Sequence, residues 1–341
     1  MLDKTIHMEW SVYPVMIRAA PWFYQALQLF TAASIALILA AQLGLQYPFW
    51  AAMPVWVVAQ PYREDLMLRA ALRIAGTIFG AAIGWFTLTM IGDSAVSILV
   101  LVVSVGAGAA ATFWIGTVYS YGVLLAAITV AVVLIPALDH SVDTTQLAAD
   151  RIWCTLIGVV MVTAITFAFT PRRPEPPPKR VAPPPWVTLR HGAIAAGAAL
   201  LGLGLLKLIS GPAGISAAMA LCIFSMLIAG SRNPAPILRH MPVGATIGVA
   251  AALAYRALDM ILHDPVGMAA LLAVPFIAIG AALRSHPRTA AIGLDANMCF
   301  LLAAEAGAAG HGFSAHFQGG IALVLSAVLC TALFRRIGVV P

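Results

Sequence analysis

Charge is the first thing this sequence lacks. Only 9% of its 341 residues are charged, with 13 acidic and 19 basic side chains. A soluble globule of this length cannot be covered with so little polar surface, so that class is excluded. Cysteine is sparse too: Cys154, Cys222, Cys299 and Cys330 lie inside apolar runs with no C-x-x-C pair among them. That spacing removes a disulfide framework or a zinc site and leaves four core residues. No G-x-x-x-x-G-K-[ST] stretch occurs, so the phosphate cradle of an ATP-driven pump is missing and no enzymatic activity is expected. His311 and His316, separated by four residues without neighbouring ligands, are too little for a metal, and neither metal nor cofactor is expected. The N-terminus has no basic start before a short apolar stretch, and a cleaved export signal is not expected.

What is present is apolar. Hydrophobic residues make up 62% of the chain and the mean hydropathy is +0.95, which predicts an all-α polytopic membrane protein. The net charge of +6 falls singly or in pairs at the ends of apolar runs, which is the pattern of a topology signal and not of nucleic-acid binding. Residues 1–23 mix charges with Trp10, Tyr13, Trp22 and Phe23, interrupted by Pro14 and Pro21, and predict an interfacial segment that does not span. Six apolar runs follow within residues 24–170, near 24–44, 49–60, 68–91, 95–114, 118–137 and 151–170. Residues 171–190 are proline-rich and basic, as in an extended linker outside the bilayer. Six more runs fill residues 191–336, near 191–210, 213–230, 241–262, 266–283, 289–308 and 315–334, and 337–341 form a short tail.

The halves repeat each other. Ala52-Met53 corresponds to Ala218-Met219, the elbow Leu68-Arg69 to Leu238-Arg239, and the glycine ladder Gly76, Gly80, Gly84 to Gly244, Gly248, Ala252. Because each half holds an even number of crossings, both enter from the same side, giving about twelve transmembrane helices as two parallel six-helix repeats. With the N-terminus inside, every basic residue except Arg151, Lys207 and Arg256 falls on the inner side, which predicts cytoplasmic N- and C-termini.

The stretch from Tyr47 to Trp85 carries the densest information. An apolar run ends at Gln60-Pro61, a charged turn follows, and small residues then recur every fourth position, which lets a second helix approach closely. Arg73 lies on that stripe and Arg288 precedes an intramembrane acid, and both are candidates to collect anions at the mouth of a path between the halves. The competing explanation for both is headgroup contact under the positive-inside rule. Arg256 continues the second small-residue stripe and is a candidate exit-side cation, against simple snorkelling or pairing with Asp259. Tyr121 is the aromatic chosen to stack on a ring-shaped substrate. Asp295 lies inside an apolar helix, seven residues beyond Arg288, and is the candidate proton-coupling acid, with Glu305 as its substitute. Aligning Gly122 with Gly293 puts Leu124 opposite Asp295, so only one half would titrate.

The run YPFWAAMPVWVVAQP, the pattern R-x-x-G-T-x-x-G-A-x-x-G over Arg73–Gly84, the segment SYGVLLAAITVAVVLIPALD and the later ALRSHPRTAAIGLDANMCFLL together resemble the fusaric acid resistance (FUSC) and aromatic acid exporter family of bacterial inner-membrane proteins. The sizeable cytoplasmic domain of larger members is replaced here by residues 171–190. The resemblance implies proton-driven efflux of small organic anions, aromatic carboxylic acids first, beside a periplasmic adaptor protein. A passive anion channel, similar to plant malate channels, stays open as the alternative. Membrane lipids and the anion are the expected partners, a homo-oligomer is left open, and nucleic acid is not expected.

Overall fold

The computed structural model describes residues 21–174, 181–262, 268–308 and 310–337. The interfacial segment expected over residues 1–23 lies, up to residue 20, outside the described residues, as do 175–180 of the linker and 338–341 of the tail. Twelve helices are described: α1 Pro21–Gln42, α2 Phe49–Val58, α3 Arg63–Phe86, α4 Ser94–Ile115, α5 Ser120–Asp139 and α6 Thr144–Thr166 in the first half. The second half holds α7 Pro185–Ile209, α8 Gly211–Ala229, α9 Ala235–Leu262, α10 Ala269–Ser285, α11 Ala290–Ala304 and α12 Phe313–Arg336. Nine are long and apolar enough to cross a bilayer, while α2, α10 and α11 are shorter. Several helices begin ahead of their apolar runs, among them α3, α6, α7 and α9. The charged turn is absorbed into α3, whose first turn places Glu64 and Asp65 at its positive end, and α7 starts with Pro185 at its N-terminus, where proline suits a helix.

The helices alternate in direction, and cross-links at their ends show it. On one face Arg63 donates to the carbonyls of Phe167 and Thr170, Arg190 to Ile337, Arg232 to Phe113 and Trp114, and Arg335 to Leu238. The Leu238 carbonyl is free for Arg335 because Pro242, one turn on, has no N–H to offer it. On the opposite face the Asp139 carboxylate accepts from Gly211 N–H, tying the end of α5 to the start of α8. We call these the basic and the acidic face.

The packing repeats between the halves. The pairs α2·α6, α3·α5, α3·α6 and α4·α5 recur as α8·α12, α9·α11, α9·α12 and α10·α11. Between the halves, α4 packs on α7 as α10 packs on α1, and α5 on α8 as α11 on α2. Reciprocal pairing of this kind is what a two-fold axis through the interface produces, and helices of equal index run in the same direction, so the repeats are parallel. Glycine sets the closest approach. A Cβ at Gly76 or Gly80 would run into the backbone of α5 at Gly122 and Ala126, and one at Gly244 or Gly248 would meet α11 at Asp295 and Ala296. Gly84 packs on the side chain of Val133. These contacts also set the register of the repeat. Ala126 matches Ala296, so the partner of Asp295 is Leu125 and not Leu124.

Candidate functional site

Two cavities lie where the halves meet. The inner one, of about 160 Å³, is enclosed by α2, α5, α8 and α11 with single contributions from α3, α6 and α12. Its apolar walls follow the repeat, Leu124, Ile128 and Val132 facing Leu294, Met298 and Leu302, and Met53 and Val57 facing Met219 and Ile223. The second cavity, of about 240 Å³, is a vestibule on the acidic face, lined among others by Tyr47, Asp139, His140, Glu305, His311 and His316. One wall of this vestibule is the non-helical stretch before α2. Its backbone is held by the Asp150 carboxylate on Gln46 N–H at 2.7 Å and by the Cys154 thiol on the Tyr47 carbonyl. Irregular backbone is tolerated at membrane depth where protein covers it or where it lines a cavity, which is why α2 can be only 10 residues long.

The polar groups of the inner cavity break the symmetry of its walls. Arg73 is 3% exposed and donates through Nη1 to the Tyr121 hydroxyl at 2.9 Å. Arg151, also 3% exposed, lies over the Trp50 ring at 4.9 Å. Among the described residues neither guanidinium has a carboxylate partner, and Arg73 Nε together with Arg151 Nε and Nη1 has no hydrogen-bond acceptor. The nearest acid in sequence, Asp150, spends one oxygen on Gln46 N–H and the other on the Gln146 side chain. Asp295 reaches the cavity from the second half, with Oδ2 2.5 Å from Nδ1 of His240. By the register set at the glycines, Arg73 and Tyr121 face Met241 and Ala291 in the other half, and His240 and Asp295 face Leu72 and Leu125. Toward the basic face, Arg69 sits over the Tyr121 ring at 5.0 Å, and Arg69 and Arg284 donate to the Val57 and Trp56 carbonyls at the end of α2. Cations are favoured at a helix C-terminus.

The residues singled out from sequence are thus divided. Arg73, Tyr121 and Asp295 come together in one cavity. Arg288 does not join them: it is exposed in the turn before α11, and the acid it was expected to serve is paired with His240 instead. Arg256 lies outside both cavities, 4% exposed, with its donors committed to the Ala304, Glu305 and Ala308 carbonyls and to Asp259 at 2.9 Å. It caps the end of α11, where the chain turns through Glu305 at a φ of 47°. Glu305 lines the vestibule and binds His311 at 2.8 Å. Sequence reasoning missed Arg151 and His240. Arg151 is one of the three exceptions to the positive-inside pattern, and that anomaly is the sequence signal that points to it.

The Glu305–His311 pair lies in the turn between α11 and α12. The hydrogen bond to Glu305, reinforced by its charge, holds the His311 imidazole above its ordinary value of 6.5. A raised folded-state value means that the bond's stabilisation is complete below that ordinary value and is lost as pH rises through the raised one. The side chain is 67% exposed, so solvent screens the effect and keeps it small. Melting curves taken between about pH 6 and about pH 8 should show a small loss of stability in the wild type that His311→Gln lacks. Equal slopes for the two proteins would remove the pair from the account.

A family model described as the fusaric acid resistance protein family matches residues 22–180 and, a second time, residues 177–341. None of the curated proteins and none of the solved structures matches the chain.

Proposed function

We propose, from the premise that the chain belongs to the fusaric acid resistance protein family, that this multi-pass membrane transport protein carries small organic anions, aromatic carboxylates first, through the inner cavity. One observation carries the reading: two guanidinium groups buried in a largely apolar cavity, neither with a carboxylate partner among the described residues, since the Asp295 that shares the cavity is paired with His240. Unpaired charge at membrane depth is costly, and such groups tend to mark a pathway. A carboxylate would accept from Arg73 or Arg151, and an attached ring would lie among Leu124, Ile128, Leu294 and Met298. The cavity is close in size to the roughly 150 Å³ apolar hole that is known to admit benzene. With the basic face cytoplasmic, as the positive-inside rule asks, Arg69 and Arg284 stand at the entrance in a bacterial inner membrane.

The coupling residue in this reading is Asp295 with its partner His240. A proton gained or lost by the pair changes the charge of the cavity wall by one. Asp295→Asn should leave the protein folded and able to bind anion while flattening the pH dependence of flux. Wild-type pH dependence in that variant would pass the role to Glu305 or to no residue.

A second reading is favoured by the sign of the cavity. Exchange of a proton for an anion requires the two to exclude each other, whereas a proton added beside two arginines draws an anion in. A passive path needs no such exclusion. An inside-negative potential drives an anion outward with about 2.3 kcal/mol per charge per 100 mV. Proteoliposomes loaded with 4-hydroxybenzoate separate the readings when a pH gradient and a membrane potential are imposed in turn. Export driven by the pH gradient alone supports the carrier, and export driven by the potential alone supports the channel. No flux under either condition would overturn the function itself.

A further inference from the structure

The inner cavity and the vestibule share Trp50, Val132, Met219 and Leu302 as lining residues, so these four side chains form the wall between them. Three of the four are aliphatic or thioether chains, of which Met219 and Leu302 are flexible and Val132 is short. The fourth, Trp50, is held from both sides. Tyr47 stacks on it from the vestibule with ring centres 4.8 Å apart and planes 23° from parallel. From the inner cavity the Arg151 guanidinium covers it at 4.9 Å. Arg151 enters the membrane from the acidic face, seven residues after α6 begins, so it stands at the vestibule end of the inner cavity while Arg73 and Tyr121 stand toward the basic face.

Arg151 therefore has two possible partners. Among the described residues its cation lies over the face of the indole without a carboxylate partner, and Nε and Nη1 have no acceptor. A carboxylate arriving in the cavity offers charge-assisted hydrogen bonds to those same nitrogens, which are stronger than a cation–π contact. The guanidinium has to turn toward the anion to make them, and in turning it leaves the ring. We infer that Arg151 is a second anion-binding residue that latches Trp50, so that an anion passed on from Arg73 releases the indole and opens the wall to the vestibule. The backbone around the latch is anchored independently: Asp150 and Cys154 of the same helix hold the chain at Gln46 and Tyr47. Release of the indole can then proceed by side-chain rotation with the backbone in place.

This inference rests on the reading of the inner cavity as the anion's path, and its test keeps the two apart. Cyclohexanecarboxylate, which does not absorb where tryptophan emits, is titrated into the purified full chain, with binding followed by calorimetry. Emission due to Trp50 is obtained as the difference between the wild type and Trp50→Phe. Binding should change that emission in the wild type and leave it unchanged on an Arg151→Gln background. In proteoliposomes, Trp50→Leu and Trp50→Ala should pass 4-hydroxybenzoate roughly 30-fold faster, the shift expected when a desolvated cation–π contact is lost. They should also admit a naphthoate that the wild type excludes. Trp50→Phe, which keeps an aromatic ring, guards against variants that fail to fold. Anion binding without a change in Trp50 emission, or an unchanged size limit in folded Trp50 variants, overturns the latch and leaves the transport reading standing. Absence of any anion binding overturns both.

Discussion

Arg73→Met should give a protein that melts at a higher temperature in detergent than the wild type and no longer transports 4-hydroxybenzoate. The two effects have one cause. Among the described residues Arg73 is buried without a counter-ion, and it donates to the Tyr121 hydroxyl. On insertion scales an arginine at the centre of a membrane helix costs about 2.5–3.5 kcal/mol, and methionine of similar length removes most of that cost while filling the same space. Loss of a buried charge partner removes about 2–5 kcal/mol from anion binding, which is at least a 30-fold loss of affinity. A site that gives up stability for function therefore gains the first as it loses the second. Arg151→Met should behave in the same direction. A variant that melts lower and still transports would show that Arg73 is a structural partner of Tyr121 and that the anion passes elsewhere.

Gly80→Leu should abolish folding in the membrane, seen as loss of monodisperse protein after extraction. A Cβ at this position would collide with the Ala126 carbonyl and the Thr129 side chain, and the same holds at Gly248 against Ala296 and Cys299. Lipid chains are as apolar as leucine, so helices in a bilayer associate through close van der Waals contact, and a wedge between α3 and α5 removes it. Overpacking a rigid site usually costs about 1–3 kcal/mol for a methylene or two, and here the obstacle is backbone, which cannot turn aside. Gly80→Ala should be destabilising by that smaller amount. Gly204→Ala in α7 is the control, since nothing lies within 4 Å of its added Cβ, and it should be neutral. Wild-type yield and melting for Gly80→Leu would mean that the two helices are free to separate.

Composition alone determined that the chain is a bundle of membrane helices, because a residue set with 9% charge cannot face water over its whole surface. The lengths of the apolar runs, the glycines at spacing four and the correspondence of the two halves were legible for equally local reasons. Gly76, Gly80, Gly244 and Gly248 do sit where α3 meets α5 and α9 meets α11 at close range. The candidate site was only half legible. Arg73, Tyr121 and Asp295 could be named one by one, but their meeting in a single cavity, and the departure of Arg288 and Arg256 from it, required the packed structure. So did the pairing of Asp295 with His240 across 55 residues of sequence, the place of Arg151 against Trp50, and the one-residue register that sets Leu125 opposite Asp295. The reason lies in the solvent. In a water-soluble helix the alternation of polar and apolar residues reports which face turns inward. In a bilayer the lipid and the protein core are equally apolar, so a run such as α5 or α11 carries no periodic record of its inward face. Which of its side chains meet is decided only when the helices pack.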